Sequence, residues 1–321
     1  MSILVVTNKT DTPSDEVINH LVKMKENVFR LNTEDICQSV DFELGIDQDQ
    51  FIGSFVTNIR SIDFKDIKSV FYRRPELPEL PGLNEIHRNF IRGEIAAFIN
   101  WLWVALRGRF WMNRPNQLRI ADSKIDQLYV APSFGFEIPR TIITNKEEKV
   151  REFYKQCEGR MINKVLSNGL VMKENVPYHV YTNRVTESIL NKLGAVSMVP
   201  CLFQERIEKK FELRITVVGR KIYASEIHSQ LSPRTKDDWR RYDLDNTPHK
   251  IHTLPKRVEK SCLKLMDYYN LAYGAIDMIV TPDDRYVFLE INPNGQWLWI
   301  EYLTKMPISK EIATILAKSD F

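Results

Sequence analysis

The feature that most constrains this chain is a pair of apolar stretches near its C-terminus that carry acidic residues. Ala275–Val280 and Tyr286–Ile291 each predict a strand, and a turn-forming Pro-Asp-Asp-Arg sequence separates them. Because side chains alternate along a strand, Glu290 and Asn292 share one face, and a hairpin of this length places Asp277 opposite Glu290. The three oxygen-bearing side chains are therefore predicted to converge.

This convergence has two interpretations. Two carboxylates and an amide among apolar strands are poorly solvated unless a hard cation lies between them, and magnesium fits that requirement. Alternatively, the polar face of an ordinary hairpin meets solvent. The candidate cations for a triphosphate are Lys124, Lys164 and Arg214. Lys164 follows an apolar pair and Arg214 alternates with apolar neighbours, so both need an anionic partner.

Composition limits the possible partners. The 45 basic and 42 acidic residues leave a formal charge of +3, too small for nucleic-acid binding through bulk charge. The longest apolar stretch, residues 96–106, is too short to span a bilayer, and the N-terminus lacks the basic start of a signal peptide. Four widely spaced cysteines fit reduced thiols. We expect a soluble, cytoplasmic protein with no nucleic-acid or membrane partner.

The order of predicted elements indicates an α/β (α+β) fold. A strand, a helix and a strand open the chain, and a long, well-buried helix is predicted from Asn84 to about Arg107. Helix 145–156 and strand 160–165 follow, and an antiparallel hairpin over 211–228 precedes the acidic hairpin. The predicted domains are residues 1–115, 116–190 and 191–321.

The dispersed candidates occur in an order typical of one superfamily. The series is Lys124, Lys164, Ser167-Asn168-Gly169, Gln204-Glu205-Arg206-Ile207, Glu212-Leu213-Arg214, Asp277 and Glu290-Ile291-Asn292. With this series the chain resembles the ATP-grasp ligases. Four further segments are similar to the microviridin-type peptide ligases, or graspetide synthetases, a group that includes the thuringinodin and plesiocin ligases. These segments are Val70–Pro75, Trp111–Pro115, Glu212–Gly219 and Asp238–Arg241.

The resemblance implies an ATP-grasp fold with ATP between the central and C-terminal domains. The implied ATP contacts are Lys124, Lys164, Ser167 and Gly169 at the phosphates, Gln204, Glu205 and Ile207 at the adenine, and Glu212 near the ribose. Arg214 would face the transferred phosphate. Asp277, Glu290 and Asn292 would bind Mg²⁺, as the strand geometry also suggests.

The resemblance further implies an ATP-dependent macrocyclase. The side chain of Asp or Glu in a ribosomal precursor peptide takes the γ-phosphate, and a Thr or Ser hydroxyl, or a Lys amine, then closes an ω-ester or ω-amide ring. The precursor would carry a leader and a core rich in Thr and Asp/Glu, and relatives suggest a possible homodimer. Glu187 and Asn191, at i and i+4 on one predicted helix face, are candidates for leader binding.

Further substrate contacts are predicted in a polar segment. Arg240, with Arg241 as the lesser candidate, can reach the cleft and bind the acceptor carboxylate, whereas an internally salt-bridged Asp238–Arg241 loop is the alternative. His228 is a candidate base for the attacking hydroxyl or a structural strand-end histidine. Arg73-Arg74 is expected to pair with neighbouring acids and stays outside the predicted catalytic set.

Two other functions share the predicted ATP site. A glutamate-adding ATP-grasp ligase would join a free amino acid to the C-terminus of a peptide or protein, and a nucleotide-binding regulator would have lost catalysis. The segments Tyr72–Pro75 and Asp238–Arg241 favour the macrocyclase. The presence of all three predicted metal ligands argues against the regulator.

Overall fold

The computed structural model mixes helices and strands along the chain and describes residues 1–167, 169–174, 176–241 and 243–320. The helices of these residues are α1 (Thr12–Lys23), α2 (Glu85–Ala105), α3 (Pro115–Ala121), α4 (Lys124–Val130), α5 (Glu147–Gln156), α6 (Glu187–Leu190), α7 (Lys256–Tyr269), α8 (Leu298–Thr304) and α9 (Ile308–Lys318). The strands are β1 (Ser2–Thr7), β2 (Asn27–Asn32), β3 (Val40–Asp47), β4 (Gln50–Thr57), β5 (Ser61–Asp63), β6 (Ile67–Tyr72), β7 (Phe110–Met112), β8 (Thr141–Thr144), β9 (Met161–Lys164), β10 (Leu170–Lys173), β11 (Val176–His179), β12 (Asn183–Arg184), β13 (Cys201–Glu205), β14 (Phe211–Val218), β15 (Lys221–Ile227), β16 (His249–His252), β17 (Tyr273–Val280) and β18 (Tyr286–Asn292). None of these helices combines the length and the apolar composition that crossing a bilayer requires.

The N-terminal sheet is parallel, with the strand order β2-β1-β6-β7. Every residue of β1 is buried, as expected for a parallel strand that is covered on both faces. Ile3 and Val5 pack in one cluster with α1 and α9, whereas Leu4 and Val6 pack in another with α2. The carboxyl ends of β6 and β7 lie at the same edge and lead directly into buried polar residues.

The predicted long helix is present as α2, but it is only partly buried. Ile95 and Ile99 belong to the stripe that packs on the sheet, while Ile86, Phe90 and Trp101 are 80%, 69% and 68% exposed. The expectation of a well-buried helix is therefore wrong for its outer face, because the sheet meets only one side of it.

The central sheet is antiparallel in the order β12-β9-β13-β8. Val150 and Phe153 of α5 cover it and share a core cluster with Met161 and Phe203. The sheet takes strands from both sides of the predicted boundary at residue 190, and the division into three domains stays a prediction. The hairpin β10–β11 pairs only with itself among the described strands.

The C-terminal sheet is antiparallel in the order β16-β15-β14-β17-β18. Its register sets Asp277 beside Arg214 on one neighbouring strand and opposite Glu290 on the other, so the predicted pairing of the two acids is confirmed. The register shifts after Asp277, which makes Leu289 the extra residue of a β-bulge at the acidic pair. α7 packs on the opposite face, so the acids lie on the face that meets the central sheet.

Candidate active site

Two facing carboxylates form the floor of a cleft between the central and C-terminal sheets. Both oxygens of Asp277 accept hydrogen bonds from Nη1 of Arg214, at 3.0 and 3.1 Å. Oε2 of Glu290 lies 3.4 Å from Nζ of Lys124. We call Asp277 and Glu290 the acid pair, and each member already has a cation of its own.

The pKa values of the two carboxyls in the acid pair are shifted in opposite directions. Burial raises the pKa of the Asp277 carboxyl despite the neighbouring guanidinium, and the charge of Glu290 raises it further. Burial also acts to raise the pKa of Glu290, but the charges of Lys164, Lys124 and Arg240 outweigh it and the pKa is lowered. Glu290 is thus held ionised among three cations, and a further cation between the acids would offset their repulsion.

Two cations of the cleft keep hydrogen-bonding capacity that the described residues do not use. Burial lowers the pKa of Lys164, and within 4 Å its ammonium meets no carboxylate of the described residues. Arg214 is 4% exposed, donates from Nη2 to the main-chain oxygen of Gln296 at 2.9 Å, and its Nε has no acceptor among those residues. Because buried cations are costly without partners, this end of the cleft fits an anionic ligand.

The opposite end of the cleft is formed by residues 204–207. Gln204 is 1% exposed, donates from Nε2 to Oγ1 of Thr141 at 3.0 Å, and leaves its Oε1 without a donor in the described protein. The Glu205 carboxylate pairs with Arg140 at 2.9 Å and turns toward that residue. Ile207 lines the cleft. This end combines the apolar side chain of Ile207 with one unmatched acceptor on Gln204, which suits a flat heterocycle.

Glu212 lies on the cleft wall between the two ends. It is buried, and its two oxygens accept hydrogen bonds from Nζ of Lys209, at 2.6 Å, and from Oγ of Ser229. Burial raises the pKa of this carboxyl, while Lys209 opposes the shift. Because both oxygens are engaged, a contact with a ribose stays a prediction.

Two residues of the predicted phosphate loop, Ser167 and Gly169, are described. Ser167 is exposed and lines a pocket beside Lys124 and Asn292. Gly169 has a φ of +69°, and a Cβ there would lie 2.9 Å from the main-chain oxygen of Val180, so only glycine fits. Asn168, the middle residue of this predicted loop, lies outside the described residues.

Arg240 lines both the cleft and this second pocket. Its Nε and Nη2 donate to the two oxygens of Asp238 at 2.8 and 2.6 Å, and Asp238 also accepts from the main-chain N–H of Thr182 at 3.0 Å. Burial opposes ionisation of Asp238, but Arg240 holds its pKa well below the usual range. The salt-bridged loop and the cleft-facing guanidinium were alternatives in the sequence, and the structure combines them.

Two other predicted substrate or catalytic residues line neither pocket. Arg241 donates from Nη2 to Oδ1 of Asn183 at 3.1 Å. Nε2 of His228 lies 2.7 Å from Oε2 of Glu226, whose Oε1 lies 2.8 Å from Nδ1 of His252. The structure therefore does not bring Arg241 or His228 together with the acid pair.

Comparisons with known proteins place this site in a family. Residues 2–119 match the family model described as the MvdD pre-ATP grasp domain. The macrocyclase MdnC of Microcystis aeruginosa MRC, solved with precursor peptide MdnA, is 33% identical over 99% of this chain and 100% of that chain, with a TM-score of 0.89. The chain belongs to the ATP-grasp macrocyclase family.

Other members of the family agree. A RiPP-associated ATP-grasp ligase of Chryseobacterium gregarium, solved with ADP and a leader and core peptide, is 32% identical, covers 100% of this chain and 98% of its own, and has a TM-score of 0.92. MdnB of Microcystis aeruginosa MRC is 30% identical, covers 98% of both chains and has a TM-score of 0.81. A search of curated proteins found no match. The predicted ATP-grasp fold is thereby confirmed.

A buried glutamine that is not among the predicted site residues supports the floor of the cleft. Gln127 of α4 accepts from the main-chain N–H of Ile291 at 2.9 Å and donates to its oxygen at 2.8 Å. It thereby fixes the backbone between Glu290 and Asn292. Its position three residues after Lys124, on the same helix face, is the sequence signal that could have found it.

The predicted third metal ligand differs from the acid pair. Asn292 is exposed, and its Oδ1 accepts from the main-chain N–H of Asn294 at 3.1 Å. Within the described ranges no three His, Cys, Asp or Glu side chains form a metal-binding group, and the predicted set itself holds two carboxylates and one amide. The predicted leader contacts Glu187 and Asn191 are also exposed, at the start of α6 and directly after it.

Proposed function

We propose that this protein is an ATP-dependent macrocyclase that phosphorylates Asp or Glu side chains of a ribosomal precursor peptide and joins them to Thr or Ser hydroxyls, or to Lys amines. The observation that carries the proposal is the cleft floor, where two facing carboxylates lie among Lys124, Lys164, Arg214 and Arg240. Family membership supports it, since MdnC was solved with a precursor peptide and the Chryseobacterium ligase with ADP and peptides.

The residues of the floor fit magnesium and ATP. Asp277, Glu290 and Asn292 would hold Mg²⁺, which when bound draws negative charge from the phosphates. Lys164, which has no carboxylate within 4 Å among the described residues, and Arg214, which pairs with Asp277 but keeps an unused Nε donor, would bind the phosphates. The unmatched Oε1 of Gln204 would accept a hydrogen bond from the adenine amino group.

The proposed reaction has two chemical steps. An oxygen of the peptide carboxylate attacks the γ-phosphorus, the bond to the β-phosphate oxygen breaks, and ADP leaves, while Arg214 offsets the charge of the transferring group. The hydroxyl or amine then attacks the acyl carbon and loses its proton to solvent, and phosphate leaves. Arg240, fixed through Nε and Nη2 by Asp238, would offer its Nη1 edge to the peptide carboxylate.

We also propose a homodimer with the outer face of α2 as its interface. Ile86, Phe90 and Trp101 are exposed on this helix. In an antiparallel pair of α2 helices about a two-fold axis, Ile86 lies opposite Trp101 and Phe90 opposite Ala97, so the face complements itself. Light scattering should give a dimer for the unaltered protein and a monomer for Phe90→Glu, and a dimer that survives this change would contradict the interface.

The experiment that tests the function is incubation with ATP, Mg²⁺ and a precursor peptide encoded beside the gene, followed by mass spectrometry. We expect the loss of one water mass and the formation of one ADP per ring, with methanolysis opening esters but not amides. The glutamate-adding alternative would instead raise the peptide mass. A mass gain, or ATP consumption without any change in peptide mass, would contradict the macrocyclase.

A further inference from the structure

The segment that follows the acid pair is held by side chains from the N-terminal sheet. This segment, residues 291–297, contains the predicted metal ligand Asn292. Asn113, directly after β7, donates from Nδ2 to the main-chain oxygen of Pro293 at 3.1 Å. Arg73, directly after β6, reaches the next residues of the segment. Among the described residues, neither Arg73 nor Asn113 lines the cleft or the second pocket.

Arg73 makes hydrogen bonds to this segment from both terminal nitrogens of its guanidinium. Nη1 donates to the main-chain oxygen and to Oδ1 of Asn294, and Nη2 donates to Oε1 of Gln296 at 3.1 Å. Nδ2 of Asn294 donates back to the main-chain oxygen of Arg73. The guanidinium also lies 4.7 Å from the centre of the Trp297 ring. One arginine thus contacts three residues of the segment, Asn294, Gln296 and Trp297.

The burial of Arg73 is costly, and packing alone does not require it. The residue is 1% exposed, its nearest carboxylate oxygen, Oδ2 of Asp11, lies 4.0 Å from Nε, and Nε has no hydrogen-bond acceptor in the described protein. Burial lowers the pKa of this guanidinium to about 10. An apolar side chain of similar size would fill the same space without the desolvation cost. The hydrogen bonds to the segment are what only an arginine supplies there.

The same segment also makes hydrogen bonds to two residues of the site. The main-chain N–H of Asn294 donates to Oδ1 of Asn292 at 3.1 Å, which sets the orientation of that amide. The main-chain oxygen of Gln296 accepts from Nη2 of Arg214 at 2.9 Å, which sets the guanidinium that pairs with Asp277. Arg73 therefore contacts both Asn294 and Gln296. Asn294 hydrogen-bonds to the predicted metal ligand Asn292, and Gln296 hydrogen-bonds to the predicted phosphate contact Arg214.

We propose that Arg73 is a positioning residue for phosphoryl transfer, which fixes residues 294–296 and through them the orientation of Asn292 and Arg214. The inference rests on the proposed function, because it concerns the metal and phosphate end of that site. It gives the N-terminal domain a part in the reaction although that domain lines no part of the cleft. Loss of a supporting partner behind a metal site lowers metal affinity by about 10- to 100-fold.

The test compares Arg73→Lys with Ser69→Ala. The lysine keeps a cation beside Asp11 but cannot grip Asn294 and Gln296 together. Ser69 lies within β6, the strand that Arg73 directly follows, and is buried. It donates from Oγ to the main-chain oxygen of Leu316 at 2.8 Å, so Ser69→Ala also removes a buried hydrogen bond to the C-terminal helix α9. The readout is Mn²⁺ binding in the presence of ADP, measured by electron paramagnetic resonance, together with ADP binding without metal and the melting temperature.

We expect Arg73→Lys to bind Mn²⁺ about tenfold or more weakly, with unchanged ADP binding in the absence of metal, and Ser69→Ala to bind Mn²⁺ like the unaltered protein. Unchanged Mn²⁺ affinity in Arg73→Lys, or an equal loss in Ser69→Ala, would overturn the positioning role alone. Failure of the unaltered protein to bind Mn²⁺ with ADP would overturn the proposed function and this inference with it.

A second variant keeps the proposal testable if Arg73→Lys does not fold. Asn294→Ala removes the side chain that makes two of the three hydrogen bonds between Asn294 and Arg73, and keeps the main-chain oxygen that makes the third. We expect the same weakening of Mn²⁺ binding in Asn294→Ala, and no additional weakening in the double variant, because both residues act through one link. Wild-type Mn²⁺ affinity in Asn294→Ala, or fully additive losses in the double variant, would contradict the link.

Discussion

The two antiparallel strand pairs β17–β18 and β10–β11 differ in how their residues are packed. In β17–β18 the core residues are buried, the acid pair meets cations, and Gln127 fixes the backbone beside it. In β10–β11 the residues of β10 are exposed and the strands pair only with each other among the described strands. A two-stranded hairpin has little stability of its own. Groups that must hold a reactive geometry therefore lie on the packed strands β17 and β18, whereas the residues of β10 are exposed and none of the described site residues lies there.

The largest effect is expected at the acid pair. Glu290→Gln keeps the shape of the side chain but removes the charge that Lys124 and Lys164 surround. We expect ATP turnover with precursor peptide to fall by about 100-fold or more, and Asp277→Asn to do the same. Asp283→Asn, in the exposed turn of the same hairpin, is the control and should leave turnover unchanged. Normal turnover in Glu290→Gln would remove the acid pair from the mechanism.

The next effect is expected from a methyl group added behind the floor. A Cβ on Gly295 would lie 2.5 Å from Nη2 of Arg214 and 2.7 Å from Cβ of Ala275. Gly295→Ala should therefore displace Arg214, and an error of about 1 Å at a reacting group costs about 100-fold in rate. Gly108→Ala, where an added Cβ meets nothing within 4 Å, is the matched control in a rate assay. Equal rates for both variants would show that the position of Arg214 does not matter.

A more selective effect is expected at Arg240, where only the peptide step should be lost. Arg240→Ala should retain ADP binding, measured by calorimetry, but lose about 100-fold in cyclisation, because the peptide carboxylate loses its cation. Arg234→Ala, an exposed arginine of the same polar region, should cyclise normally. We expect Arg241→Ala to lose less than Arg240→Ala, since its guanidinium turns toward Asn183. Unchanged product formation in Arg240→Ala would refute the acceptor role.

The smallest effect separates the hairpins by stability. Met172 in β10 is 59% exposed, whereas Met278 in β17 is 0% exposed. Met278→Ala should lower the free energy of unfolding by about 2–5 kcal/mol through the cavity it leaves. Met172→Ala should change it by less than about 0.5 kcal/mol. Denaturant unfolding measures both, and a comparable loss in the two variants would mean that β10–β11 is packed in solution.

Local rules were sufficient for the part of the site that lies within one hairpin. Alternation along β18 and the length of the turn predict that Asp277 faces Glu290, and the register confirms it. The same rules predict β14 and β15 and the burial of Arg214 between apolar neighbours. These features depend on residues close in sequence, so their geometry follows from periodicity.

Features that depend on distant segments were beyond such rules. Arg73 and Asn294 are 221 residues apart, and no local pattern distinguishes this buried arginine from a surface one. His228 was a candidate base because imidazole can accept a proton near neutral pH. Its position is set instead by its partner Glu226, which also contacts His252 on the edge strand β16. No element is predicted after Asn294, although the helical spacing of Ile308, Ile312, Ile315 and Leu316 is a local signal that could have found α9.

The most direct test of the acid-pair mechanism follows the oxygen atoms of the peptide. A precursor whose Asp and Glu side-chain carboxylates carry ¹⁸O is cyclised with ATP and Mg²⁺, and the released phosphate is analysed by mass spectrometry. If the carboxylate attacks the γ-phosphorus, each ring transfers one ¹⁸O atom to phosphate. Rings that form with unlabelled phosphate would show that no acyl phosphate is made and would contradict the account.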